Sequence, residues 1–288
     1  MNNFIKTVGV FFILLAFTVM SAMFLGAFYS GESGNVALIP ITGEIVTEDG
    51  LFTSAAKSDT IVKFIEDANA NPEIKAILFE IDSPGGTIVA TREIANAVKE
   101  VNKTTVCWLR ETAASGAYWV ASNCDKIVAD PYTITGSIGV SGSYLEFSGL
   151  FEKYGVNYTR LVSGEQKDIG SPYREPTKEE LKVLQGIVDT VKQEFISEVS
   201  ANRHLSAEQT SQLQNAGIFI GKDAKNIGLV DVLGGKKEAT DLIKNMTNVT
   251  EITYKEYTEE ISFSELAASF FGQSMAKQLF AESSFKLH

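Results

Sequence analysis

Histidine and cysteine are almost missing from this chain, with two of each in 288 residues. That scarcity excludes a ligand cluster at zinc-like spacing, and no cofactor-binding motif takes its place. It also leaves little for a Ser-His-Asp triad: His288 is the last residue, and His204 lies in the polar turn "ANRHLSAEQ" with nothing around it to hold an imidazole. Cys107 and Cys124 allow one bridge at most; since both sit in apolar surroundings, they are expected to be buried free thiols. Positive charge is also short. Lys and Arg total 25 against 36 Asp and Glu, a net charge of −11, which argues against nucleic-acid binding and against adhesion to anionic lipid through basic patches. No fixed-period repeat or low-complexity tract stands out.

The composition is that of a folded protein, 44% hydrophobic and 21% charged. Its most conspicuous segment is "VGVFFILLAFTVMSAMFLGAF", Val8 to Phe28, inside a stretch from Thr7 to Gly31 without a charge. As a helix it spans about 30 Å, the thickness of the bilayer hydrocarbon. Lys6 precedes it and Glu32 follows, so the amino terminus is expected in the cytoplasm and the remainder outside. The run exceeds the ~7–15 residues usual for a signal-peptide core, which favours an uncleaved single-pass anchor over a cleaved leader.

After a Gly/Ser linker at residues 31–35, strands and helices alternate. "VALIPITGEIV" reads as a strand and turn, and a helix with Ile61, Phe64 and Ile65 on one face ends at Asn71-Pro72. The strand "KAILFEI", the helix "TREIANAVKEVN" and the strand "TTVCWLR" follow. A second alternation runs through "DKIVADP", "VNYTRLVSG", a long helix from about Lys178 to Ser200, and short helices near 206–213 and 222–227. This order predicts an α/β layered domain over residues 36–250. Residues 251–288 form an extension whose amphipathic part, "SFSELAASFFGQSMAKQLF", suits core packing, subunit contact or a second membrane contact.

Two strand-to-helix turns attract attention. In "EIDSPGGT", Gly85 and Gly86 permit positive φ and close backbone approach, so the loop can present free N–H groups to an oxyanion or serve as a plain turn. In "ETAASGAYWVAS", small residues crowd Ser115, which is placed at the start of a helix where the local field and the Gly116 N–H favour developing negative charge. A capping serine is the simpler reading of that turn. The G-x-S-x-G elbow is absent, and a nucleophilic serine without a histidine needs a lysine of lowered pKa as its base.

"DSPGG", "AASGAYWVAS" about thirty residues on, "TGSIGV" and "SGEQKDIGSPYREPTKEE" occur in this order and spacing. The set closely resembles signal peptide peptidases of the SppA type, the protease IV family of serine peptidases with a Clp protease/crotonase-like fold of repeated β-β-α units. The resemblance covers about Val36 to Gly235. It implies Ser115 as nucleophile, Lys167 as general base, Gly86 and Gly116 as oxyanion donors, and Ser137 as the residue that orients the lysine. It also implies a ring-like homo-oligomer, an octamer being one such ring, in which one subunit's serine meets a neighbour's lysine. Thr87 and Ala117 stand where the family often has glycine, and Asp82 where it often has asparagine. These departures bear on substrate preference more than on mechanism.

An ordinary lysine must lose about two to three pKa units to act as a base at neutral pH. Glu165 and Asp168 flank Lys167 and oppose that, so the lysine is expected to turn inward and the carboxylates to stay in solvent. The function expected is a membrane-anchored serine endopeptidase, held through residues 8–28 and acting on remnant signal peptides and other small or unfolded membrane-associated peptides. The rival readings on the same fold are a crotonase-type acyl-thioester hydratase or isomerase, a non-catalytic membrane scaffold, and a Clp-like processive protease.

Overall fold

In a computed structural model the described residues are 34–48 and 55–258, with the isolated residue 18. The run 8–28 and the amphipathic tail lie outside them; among the described residues no helix is long and apolar enough to cross a membrane. The chain divides into two compact units, residues 1–256 and 257–288, of which the second is described only in its first two residues.

The first unit is a mixed α/β domain built on a mostly parallel sheet. Its strands are β1 (Val36–Thr42), β4 (Ala76–Ser83), β5 (Thr104–Ala114), β6 (Lys126–Ala129), β9 (Val232–Leu233) and β10 (Tyr254–Glu256), in spatial order β10-β1-β4-β5-β6-β9 with every pairing parallel, while β2 (Ile45–Val46) and β3 (Ala56–Lys57) pair with each other apart from it. β10 falls within the segment expected to be an extension, and it completes the β1 edge. Parallel strands need helical crossovers and are covered on both faces, hence near-continuous apolar runs such as Ile77-Leu78-Phe79, all fully buried. On one face Leu38, Leu78, Val106 and Val128 pack under Ala239 and Ile243 of the helix Lys236–Thr247. The crossover helices α1 (Ser58–Ala70) and α2 (Ile88–Lys99) bury Ile61, Ile65, Ile94 and Val98. α1 stops at Asn71, one residue before Pro72, as read from sequence.

β5 is the pivot. Its first half pairs with β6, while Thr112–Ala114 pairs with β7 (Ile134–Gly136). β7 in turn pairs antiparallel with β8 (Ile218–Ile220). The register between β4 and β5 shifts between Ile81 and Ser83, where Asp82 Oδ1 accepts from the Thr112 N–H at 3.2 Å. The strand therefore runs past the point expected from "TTVCWLR" and delivers its last residue, Ala114, directly to Ser115.

Two expectations fail here. Cys107, on β5, and Cys124, after the helix that follows Ser115, form a disulfide instead of two free thiols. Apolar surroundings hid the pairing, because burial suits a thiol and a bridge equally. "VNYTRLVSG" is not a strand: residues 155–162 are irregular, with Leu161 90% exposed and no neighbouring strand to satisfy the backbone. After the short helix α4 (Ser148–Tyr154), the long helix α5 (Lys178–Asn202) forms as read, opened by a capping box between Thr177 and Glu180.

Candidate active site

The small residues of "AASGA" are explained by two turns in contact. Gly85, at φ +101°, lies so close that a Cβ there would come within 2.7 Å of the Gly116 nitrogen and 3.0 Å of the Ser115 Cβ. A Cβ on Gly86 would meet the Ile45 carbonyl oxygen at 1.9 Å. The SPGG turn is pinned there by strand-like bonds: Ile45 N–H donates to Gly85 O at 2.9 Å, and Thr87 N–H donates to Ile45 O at 2.8 Å. Neither bond uses the Gly86 N–H.

Ser115 has φ +53° and ψ −127°, a conformation that few non-glycine residues adopt, between the end of β5 and α3 (Gly116–Ala121). Its N–H donates to Gly136 O at 2.8 Å, and its carbonyl accepts from Trp119 N–H at 3.0 Å. With the backbone so fixed, the side chain is displayed at a sharp strand-to-helix turn and does not cap the helix. Ser137, also left-handed at φ +51°, donates its N–H to Gly217 O at 2.8 Å, so the TGS turn leans on the Ser115 backbone through Gly136. Among the described residues no acceptor engages the Gly86 or Gly116 N–H.

Ser115, Gly86, Gly116 and Ser137 line one cleft of about 530 Å³. Its apolar wall is Trp119 stacked on Phe195 of α5, with ring centroids 4.3 Å apart. Thr91 of α2 backs Gly116: a Cβ at 116 would meet the Thr91 Oγ1 at 2.4 Å, and that oxygen is the one buried side-chain polar atom without a partner among the described residues. The sequence pointed to Ser115 and its glycines; it gave no sign of Phe195, 80 positions on. Trp119, one helical turn after Ser115, was reachable by the i+4 rule.

Lys167 is not brought to this cleft. It is exposed, in the turn-rich segment 163–170, and does not line the cavity that holds Ser115. Its acidic neighbour is not left in solvent, as expected, but is taken up by arginines. Asp168 accepts from Arg160 at 2.7 and 2.9 Å and from Arg174 at 2.9 and 3.0 Å. Arg174 Nη1 also donates to Glu180 Oε2 at 2.8 Å, and the same carboxylate oxygen accepts from the Thr177 N–H at 2.8 Å. Arg160 and then Arg174 hold the Asp168 carboxyl far below the usual carboxylate range. Arg174 first, with the Thr177 amide, lowers Glu180 to about 2. His204 lines a different cavity, of about 340 Å³, beside Arg203 and Asp231.

A half-buried serine on a left-handed turn, at a cleft edged by two unengaged amides, is suited to acyl-transfer chemistry. A family model described as Peptidase family S49 matches residues 97–250. A Methanocaldococcus jannaschii protein named "Putative protease MJ0651" is 32% identical over 86% of this chain and 84% of its own length. An Enterococcus faecium protein named "Putative signal peptide peptidase SppA" is 36% identical over 71% of this chain and 60% of its length. "Protease 4" of Haemophilus influenzae is 29% identical over 76% of this chain but only 36% of its length. The chain belongs to peptidase family S49, and it is a serine peptidase of the SppA type. That sets the hydratase and scaffold readings aside.

Proposed function

We propose that the protein is a membrane-anchored endopeptidase that cleaves remnant signal peptides and other short or unfolded peptides with a Ser115/Lys167 dyad shared between neighbouring copies. The observation that carries this reading is the separation just described: Ser115 stands in a formed cleft, while Lys167 of the same chain is exposed elsewhere. Ser115 Oγ attacks the peptide carbonyl, and the neutral amine of a neighbour's Lys167 takes its proton. The Gly86 and Gly116 N–H groups stabilise the oxyanion. The tetrahedral intermediate expels the amine, which receives the proton from Lys167, and water then frees the acyl-enzyme by the same route. Ser137 orients the incoming lysine.

A surface for the neighbour is at hand. Leu181, Leu184, Val188 and Val191 recur at helical spacing along the part of α5 that lies outside the core, and Leu145, Tyr154 and Leu161 are widely exposed. A head-to-tail ring makes every such interface equivalent. The parallel sheet with a β7–β8 pair set off β5 fits the Clp protease/crotonase-like arrangement. The Cys107–Cys124 bridge fits a domain outside the cytoplasm, anchored through residues 8–28, followed by the linker 31–35 and the peptidase domain 36–250, whose sheet also takes in β10 from the segment 251–288.

Mixing defective chains tests the proposal. Ser115→Ala and Lys167→Ala proteins, each inactive alone, are dissociated, mixed equally and reassembled. About a quarter of the sites should regain activity by random assortment. No recovery, despite demonstrated subunit exchange, would show that both residues act from one chain.

A further inference from the structure

Among the described residues that line the Ser115 cleft, Glu44 alone carries a charged side chain. It precedes Ile45, the residue bonded on both sides of Gly86, so its position is fixed relative to the SPGG turn. Its backbone carbonyl is used, accepting from Ala56 N–H at 2.9 Å; its carboxylate has no hydrogen bond or ion pair among the described residues. Thr87 lines the same rim. It occupies the N-cap position of α2, yet its hydroxyl makes no capping bond, so that group too is left to the cleft. Ile88, Val140 and the Trp119–Phe195 stack give the same cleft apolar surface. The cleft thus combines surface suited to a hydrophobic side chain with a carboxylate that has no partner among the described residues.

We propose that Glu44 is a specificity-determining residue, which selects a lysine or arginine side chain at one fixed position of the bound peptide near the scissile bond. The inference deepens the reading of this cleft as a peptide-binding site and rests on it. A carboxylate on an otherwise uncharged rim favours a cation without demanding bidentate geometry, and Thr87 Oγ1 supplies an acceptor for one of the ammonium protons. Because the rim is solvent-accessible, the preference is moderate and weakens with salt.

Two measurements on the full-length protein test this. In the first, a lysine is walked residue by residue through a fluorogenic peptide, against glutamine at the same positions. At one position kcat/KM should favour lysine by about five- to tenfold. The ratio should fall to about one in Glu44→Gln and below one in Glu44→Lys. In the second, the same peptides are titrated onto Ser115→Ala protein by fluorescence anisotropy. The lysine peptide should bind tighter, and the difference should vanish when Glu44→Gln is added. The binding arm does not depend on turnover, so failure of the serine mechanism shows in the first measurement only. A lysine preference that survives Glu44→Gln, or is absent at every position, overturns the inference. So does a Glu44→Gln protein that changes oligomeric state without a change in preference, since Glu44 would then serve an interface.

Discussion

At the scale of single residues, the site depends on where no side chain exists. Gly116 has no room for a methyl group because Thr91 Oγ1 and Cγ2 already occupy that space, at 2.4 and 3.1 Å from the position of a Cβ. Gly116→Ala is therefore expected to destabilise the protein by about 1–3 kcal/mol, the usual cost of overpacking, and to reduce kcat at least a hundredfold by displacing an amide of the site. Adding Thr91→Ala removes both atoms and should restore most of the stability, which a urea titration of the single and double variants measures. If Gly116→Ala alone proves as stable as the wild type, the two turns are not packed as described. Much of this was legible in the sequence: "SPGG" and "ASG" are runs of residues chosen for close approach, and their contact follows from their chemistry. Glu44 was not legible, since a lone glutamate after a turn looks like any solvated one until the fold carries it to the rim of the cleft.

At the scale of elements, the segment between β8's partner strand and α5 is held by charge and has little core of its own. Asp168 and Glu180 are both acids of depressed pKa, so their pairs with Arg160 and Arg174 are complete above the ordinary carboxylate range. That contribution is lost as pH falls from about 4.5 towards 2, the window set by Glu180. Residues 160–177 should accordingly resist pepsin near pH 4 and become cleavable as the pH approaches 2. In Arg174→Gln the segment should be cut already at pH 4. Equal resistance of the two proteins at pH 4 would show that packing, not Arg174, orders the segment. The long helix and the strand-helix alternation up to β5 were readable because each repeats a local rule. The failure at "VNYTRLVSG" has a physical cause as well. β-branched and aromatic residues mark a strand only when a neighbour offers hydrogen bonds, and within one chain this segment has none.

At the scale of the whole molecule, the Cys107–Cys124 bridge closes a loop around the Ser115 turn, linking β5 to the turn after the helix that follows. For a loop of this length a disulfide contributes about 3 kcal/mol by restricting the unfolded chain. Reductant should lower the stability of the wild type by that order in a urea titration and leave a Cys107→Ala/Cys124→Ala protein unaffected. Reductant that leaves the wild-type transition unmoved would mean that the thiols are free, as apolar surroundings alone suggested.

The exposed position of Lys167 has a consequence for timing. Under the shared dyad proposed above, the cleft would lack its base until a neighbour arrives, and the peptidase would be harmless while dilute. Total activity would then rise more steeply than first order as copies accumulate. The proposed anchor would confine the copies to two dimensions and raise their local concentration, so that proteolysis would switch on by crowding.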